Sequence, residues 1–187
     1  HLGLQATVRE VQDAKLDQYR VVYFATHALV AGEMERFAKA KAEPALALTF
    51  PEKPTEAENG LLPASEVAQL KLDADWVVLS ACNTAAGDQP GAEALSGLAR
   101  AFIYAGARSL LVSHWEVSDT ATSSLMRRVF EISRTQPNLS HGEALREAEL
   151  RTLEAARNDD EAHPRLWAPF VVVGEPLKPG ASVRGQP

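Results

Sequence analysis

Four short apolar runs limit what this chain can fold into: Val21-Val22-Tyr23-Phe24, Trp76-Val77-Val78-Leu79, Leu110-Leu111-Val112 between two serines, and Phe170-Val171-Val172-Val173. Each is rich in aliphatic or aromatic residues and bounded within a few positions, so each reads as a buried strand. Helical signals lie between them. Leu95, Leu98, Ala99, Phe102 and Ile103 recur at i, i+3, i+4, i+7 and i+8, the spacing of one helix face, and Gly106 suits the position that ends such a helix. Ser118 predicts a cap for a helix to about Ser133. Ser140-His141-Gly142-Glu143 is a capping box opening a helix to about Arg157, and Thr7-Val8-Arg9-Glu10 is another, for a short helix from about Val8 to Leu16. Ala45 to Phe50 reads as a strand, residues 31–44 as a polar insert or short helix, and Pro63 to Leu70 as a short helix. The segment from Pro51 to Gly60 reads as an acidic surface loop. Strands alternating with helices predict an α/β sandwich with a mostly parallel sheet.

The 187 residues suit one domain with a real core. It is expected over 1–174, with an unstructured Pro- and Gly-containing tail over 175–187. A net charge of −6 argues against a nucleic-acid partner, which calls for a basic stripe. No apolar run approaches the roughly 20 residues of a membrane helix, so no membrane partner is expected. The single Cys excludes an internal disulfide framework and Cys-rich zinc sites, and fits a reducing, cytoplasmic compartment. The start at His1 shows no basic or apolar leader pattern and reads as a cut within a longer protein. No phosphate-loop Gly-Lys-Ser/Thr and no Gly-x-Ser-x-Gly elbow occurs, and no metal or organic cofactor is implied.

Two of the runs end in residues with chemistry. Ala25-Thr26-His27 follows the first and Ser80-Ala81-Cys82 the second. In open α/β sheets the ligand crevice lies just beyond the carboxyl ends of the strands, so His27 and the only Cys are candidates for one rim. A thiol becomes a useful nucleophile beside a base that also orients it. The order, His first and fifty-five residues upstream of Cys82, is similar to that of caspase-type peptidases. Read alone, Cys82 also fits a small buried hydrophobe and His27 a satisfied strand-end histidine. Of the other histidines, His114 closes a strand and competes with His27, whereas His141 in its capping box and His163 before Pro164 read as surface punctuation. Asp88, Glu93, Glu116 and Asp119 follow strand ends; helix-dipole and turn roles account for each, and one of them can instead line a pocket for a basic side chain.

Tyr19 to His27, Val77 to Gly87, Leu98 to Ala107 and Trp167-Ala168-Pro169-Phe170, in that order and spacing, resemble the CHAT domains: caspase-like domains, often attached to tetratricopeptide repeats. The resemblance runs from about Leu2 to Gly174. It implies a caspase-like three-layer sandwich and a cysteine endopeptidase in which His27 and Cys82 form the dyad. The backbone N–H groups of Ala28 and Cys82 would face the oxyanion. Ala28 stands where the family usually has Gly, and His114 where it usually has Leu. The resemblance also implies an inner N-terminal strand beside Val21–Ala25, and this chain is expected to start after it, leaving that edge unpaired.

For the site, the resemblance puts Asp119 first among the substrate-pocket candidates, ahead of Asp88 and Glu116, with Trp115 as a wall. The expected partners are a protein or peptide substrate and a regulatory partner or attached tetratricopeptide repeats. The alternative is a catalytically silent caspase-like interaction module that keeps the dyad residues without a formed site.

Overall fold

Two sheets of unequal size carry the architecture in the computed structural model, which describes residues 1–29, 43–55, 58–80, 97–115 and 118–174. In chain order its elements are α1 (Val8–Asp13), β1 (Val21–Ala25), β2 (His27–Leu29), β3 (Ala45–Ala47), β4 (Leu61–Pro63), α2 (Ala64–Val67) and β5 (Trp76–Ser80). There follow α3 (Gly97–Tyr104), β6 (Ser109–Ser113), α4 (Asp119–Thr135), α5 (His141–Glu154), α6 (Asp159–Ala162) and β7 (Phe170–Gly174). The larger sheet has the order β1-β5-β6-β7. β1, β5 and β6 run parallel, and β7 returns antiparallel to β6. This is the mostly parallel sheet with flanking helices expected of a caspase-like α/β fold. β2, β3 and β4 form a separate antiparallel sheet with β3 in the centre.

Side-chain alternation along the strands builds two core layers. Val22, Phe24, Val77, Leu79, Leu110 and Val112 face one side, where they meet Leu98, Ala99 and Phe102 of α3. Trp76, Val78 and Leu111 face the other, against Leu125, Val129 and Ile132 of α4 and Ala144, Leu145 and Ala148 of α5. β5 and β6 are therefore buried on both faces, which is why they read as continuous apolar runs. β1 is outermost, with Val21 and Tyr23 exposed; among the described residues only β5 pairs with it.

At the amino ends of the parallel strands, Arg20 pairs with Asp75, and Arg108 with both Asp73 and Asp75, the Arg108–Asp75 contact being 3.0 Å. These bonds tie the starts of β1, β5 and β6 together. Gly106 permits the turn from α3 into β6. Its φ is +109°, and a Cβ there would run into the Leu72 carbonyl, so a side chain is excluded on two counts.

The N-cap residues are those the sequence predicts, but of the two predicted capping boxes only that of Ser140 closes, the Glu10 carboxylate lying against His1 instead. Thr7 and Ser118 accept N–H bonds at the starts of α1 and α4, and Ser140 with Glu143 forms the full capping box of α5. α1 ends at Asp13, short of Leu16. The region predicted as one strand over Ala45 to Phe50 is strand only to Ala47, and β2 and β4 have too few residues to show a period. Most of the polar insert over 31–44 and the tail over 175–187 lie outside the described residues.

One histidine departs from its sequence reading. His141 is not surface punctuation but 4% exposed. Its ring stacks on Trp76 at 4.4 Å and 8°, and its Nδ1 lies 3.1 Å from Ser109 Oγ. That hydroxyl donates to the Asp75 carbonyl at 2.8 Å, which leaves it to accept from Nδ1–H of a neutral ring. A capping-box motif fixes only the first turn of backbone. Whether its N1 side chain points to solvent depends on what the helix docks against, and here that is the Trp76 face.

Burial lowers the His141 pKa from 6.5; nearby Asp75 opposes this and Arg20 reinforces it. Burial also raises that of Glu149 on α5 to about 7. The two act in opposite directions. A histidine held neutral contributes stability that is whole above pH 6.5 and lost as the pH falls below it. A carboxyl held neutral contributes stability that is whole below its unfolded value and lost as the pH rises through about 7. Glu149→Gln is therefore expected to raise the melting temperature at pH 8 and leave it nearly unchanged at pH 4. His141→Gln should cost more at pH 8 than at pH 5. Thermal melts of both variants across that range measure the two slopes.

Candidate functional site

The cleft arises where the floor of the sheet changes from large to small side chains. β1 and β5 pair in register from Val21↔Trp76 to Ala25↔Ser80, so the two strands end level. On the α4 side the lower floor is Tyr23, Trp76, Val78 and Leu111. At the carboxyl ends it becomes Ala25, Ser80 and Ser113. Helix α4 crosses above at a height set by the larger residues, so the small ones leave a space that it cannot close. The result is a cleft of about 620 Å³.

Its walls are Tyr23, Phe130, Met126, Trp115 and Phe170, and its rim is Asp119, Thr122, Ser123 and Arg127. Tyr23 and Phe130 pack with ring centroids 5.9 Å apart and mark its lower end. Thr26 and His27 close the side nearest the second sheet. The Thr26 hydroxyl donates to the Ala47 carbonyl, and His27 stands opposite Ala47 at the start of β2. The chain thus leaves β1, turns at Thr26 and presents an exposed His27 at the mouth.

Of the residues singled out from sequence, the fold brings His27, Trp115 and Asp119 together around this one cleft. Ala28 sits in β2 opposite Leu46 with its methyl group in the core. His114 is exposed; its N–H donates to the Pro169 carbonyl at 2.9 Å, and it does not line the cleft. Cys82, Asp88, Glu93 and Glu116 lie outside the described residues. His163 is exposed, its Nδ1 accepting the Arg165 N–H at 3.2 Å. Among the described residues no group of three or more His, Cys, Asp or Glu could hold a metal ion, and no helix is long and apolar enough to cross a membrane. A second cleft, of about 660 Å³ between Gln12–Gln18 and Glu66–Lys71, contains none of the predicted site residues.

The cleft face of α4 went largely unread from sequence. Asp119, Thr122, Ser123, Met126, Arg127 and Phe130 are spaced i, i+3, i+4, i+7, i+8 and i+11, one continuous stripe. The signal was present, but it is mostly polar and runs beside the buried stripe of Leu125, Val129 and Ile132. A polar stripe on an amphipathic helix ordinarily marks the solvent side.

With this geometry in hand, comparison with known proteins gives the family. The model of the CHAT domain matches residues 1–175, and the chain belongs to that family, a caspase-like peptidase family. Two curated proteins are similar over part of its length. Tetratricopeptide repeat protein 28 of Mus musculus is 30% identical over 120 residues, covering 63% of this chain and 5% of that protein. The protein of the same name from Homo sapiens is 30% identical over 118 residues, covering 63% of this chain and 4% of its own length. The chain therefore matches only about one-twentieth of these relatives.

The origin of the cleft has a direct test. Ser80→Val adds methyl groups toward open space and is expected to change stability by less than about 1 kcal/mol. Val78→Phe, on the same strand face under α4, overpacks the core and should cost about 1–3 kcal/mol. Urea denaturation of both variants measures the contrast; equal costs would mean that the space at Ser80 does not exist.

Proposed function

We propose that this chain is a cysteine endopeptidase domain in which Cys82 is the nucleophile and His27 the acid and base. The observation that carries the reading is that His27 and Ser80 line the same cleft. Cys82 follows Ser80 by two residues, and two peptide units reach no more than about 7 Å, so the thiol is tethered to the cleft that His27 borders. Membership of a caspase-like peptidase family supports the same assignment.

In the proposed reaction the Cys82 thiolate attacks the carbonyl carbon of a peptide bond, and the carbonyl electrons move onto oxygen. The N–H groups of Cys82 and Ala28 stabilise that oxyanion. As the C–N bond breaks, His27 gives its proton to the leaving amine and a thioester remains on Cys82. Water then attacks the thioester while His27 takes up a proton. The acid product leaves and the thiol is restored.

Asp119, exposed on the rim, selects a basic side chain. Its exposure sets the size of the effect. A buried carboxylate–cation pair would give tenfold or more, but exposed pairs contribute about 0.2–1 kcal/mol, or about 1.4- to fivefold. Control by attached repeats is proposed by analogy with the relatives, whose name gives them tetratricopeptide repeats.

A second reading, a caspase-like interaction module without catalysis, draws on one observation. The aromatic-walled cleft of Tyr23, Phe130 and Trp115 can hold an extended peptide whether or not a dyad acts on it.

Substitution separates the two. Cys82→Ala should abolish cleavage of the cognate substrate by the activated full-length protein and leave partner binding intact. His27→Ala should lower cleavage by about 10²–10⁴-fold, and His114→Ala should have little effect. Cleavage that survives in Cys82→Ala, or that follows His114, contradicts the dyad. In a positional peptide library the active protein should favour Lys or Arg beside the cut bond, and Asp119→Asn should remove that preference; a preference for Asp or apolar residues would rule out Asp119 as selector.

A further inference from the structure

The cleft carries two opposite charges, and only one of them belongs to the reading above. Asp119 and Arg127 both face it from α4. Neither has an ion-pair partner among the described residues. They are eight positions apart on one helix, so their backbones are about 12 Å apart along its axis at 1.5 Å per residue. Asp119 is at the first turn of α4, level with Trp115 and the ends of the strands. Arg127 lies toward the lower end, one turn before Phe130, where Phe130 meets Tyr23.

Between the two charges the stripe holds Thr122, Ser123 and Met126, over a floor of Ala25, Ser80 and Ser113. Nothing there is charged, Met126 is buried against the core, and the small side chains of Thr122, Ser123, Ala25, Ser80 and Ser113 leave room for backbone and small side chains. An extended peptide advances about 3.3 Å per residue and covers the 12 Å in three to four residues.

We propose that Arg127 is a second specificity-determining residue, and that the cleft selects extended peptides with a basic side chain at Asp119 and an acidic one three or four residues away at Arg127. This rests on the cleft being the substrate site. The pairing is by charge complementarity alone, so either chain direction satisfies it, and what is read is the spacing and the sign. An all-basic peptide gains at Asp119 and is repelled at Arg127; an all-acidic one does the reverse.

The test is made without turnover, in the full chain carrying Cys82→Ala. Fluorescein-labelled peptides of about ten Ala and Thr residues carry one Lys and one Glu at separations from adjacent to six residues. Controls carry Lys–Lys or Glu–Glu pairs at the same separations, and binding is read by fluorescence anisotropy at low salt. The expected result is a maximum at a separation of three or four, tighter than either like-charge control by about fivefold, as befits exposed pairs, and lost at high salt. Arg127→Glu should shift the preference to Lys–Lys at that separation, and Arg127→Gln should make the second position indifferent. Equal affinity at every separation, or a preference that Arg127→Glu leaves unchanged while the variant melts normally, overturns the proposal. Cleavage is a separate readout: its absence in the unsubstituted chain counts against the peptidase and leaves the binding result standing.

Discussion

The in-register parallel pairing of β1 with β5 is the constraint on which the rest depends. It brings two segments fifty-five residues apart in sequence to a common level, so that Ala25 and Ser80 end their strands side by side. Burial enforces the register. Val22 and Phe24 must join Val77 and Leu79 on the α3 face, and a slip of β1 by one residue would turn Val22 and Phe24 toward α4. The charged residues at the opposite end support the alignment, because Asp75 is bound by arginines from before β1 and before β6. Position at the rim thus follows from packing in the core and pairing at the far edge.

The cleft follows from the same alignment. Large side chains low on the α4 face hold α4 off the sheet, and three small ones at the strand ends leave the gap unfilled. No loop or lid is needed to explain it. The α4–α5 pair in turn depends on the buried contact of His141 with Trp76 and Ser109, on the same sheet face as the cleft floor. Protonating that ring would weaken the seat of the helices that form the cleft wall, so the pH dependence of stability and the integrity of the site are physically linked.

Much of the fold was legible because its strongest signals are local. Buried parallel strands are continuous apolar runs, and Val21–Ala25, Trp76–Ser80, Ser109–Ser113 and Phe170–Gly174 all appear where those runs stand. Thr7, Ser118 and Ser140 cap the helices they precede. What escaped is set by tertiary contact. β2 and β4 are three residues each, too short for a pattern, and exist because β3 lies between them. The antiparallel sense of β7 is not written in its composition. His141 looked like a surface cap because capping describes backbone, whereas its burial is decided by Trp76 from sixty-five positions away. At the candidate cleft, His27 was legible from its place after a strand end, and Asp119 and Trp115 from the resemblance to the family. Arg127 and the hydroxyl-bearing stripe were not, because a polar helix face reads the same whether it meets water or a cleft.

The central claim is that His27 and Cys82 act on each other in this cleft, and the thiol itself reports it. Cys82 is the only cysteine, so the rate of alkylation by iodoacetamide as a function of pH titrates one group. An isolated thiol follows a pKa of about 8.5, and one paired with a histidine titrates well below that. The account predicts that Cys82 in the activated protein titrates below about 7.5 and that His27→Ala moves the midpoint up toward 8.5. Identical profiles in the two proteins, both near 8.5, would contradict it.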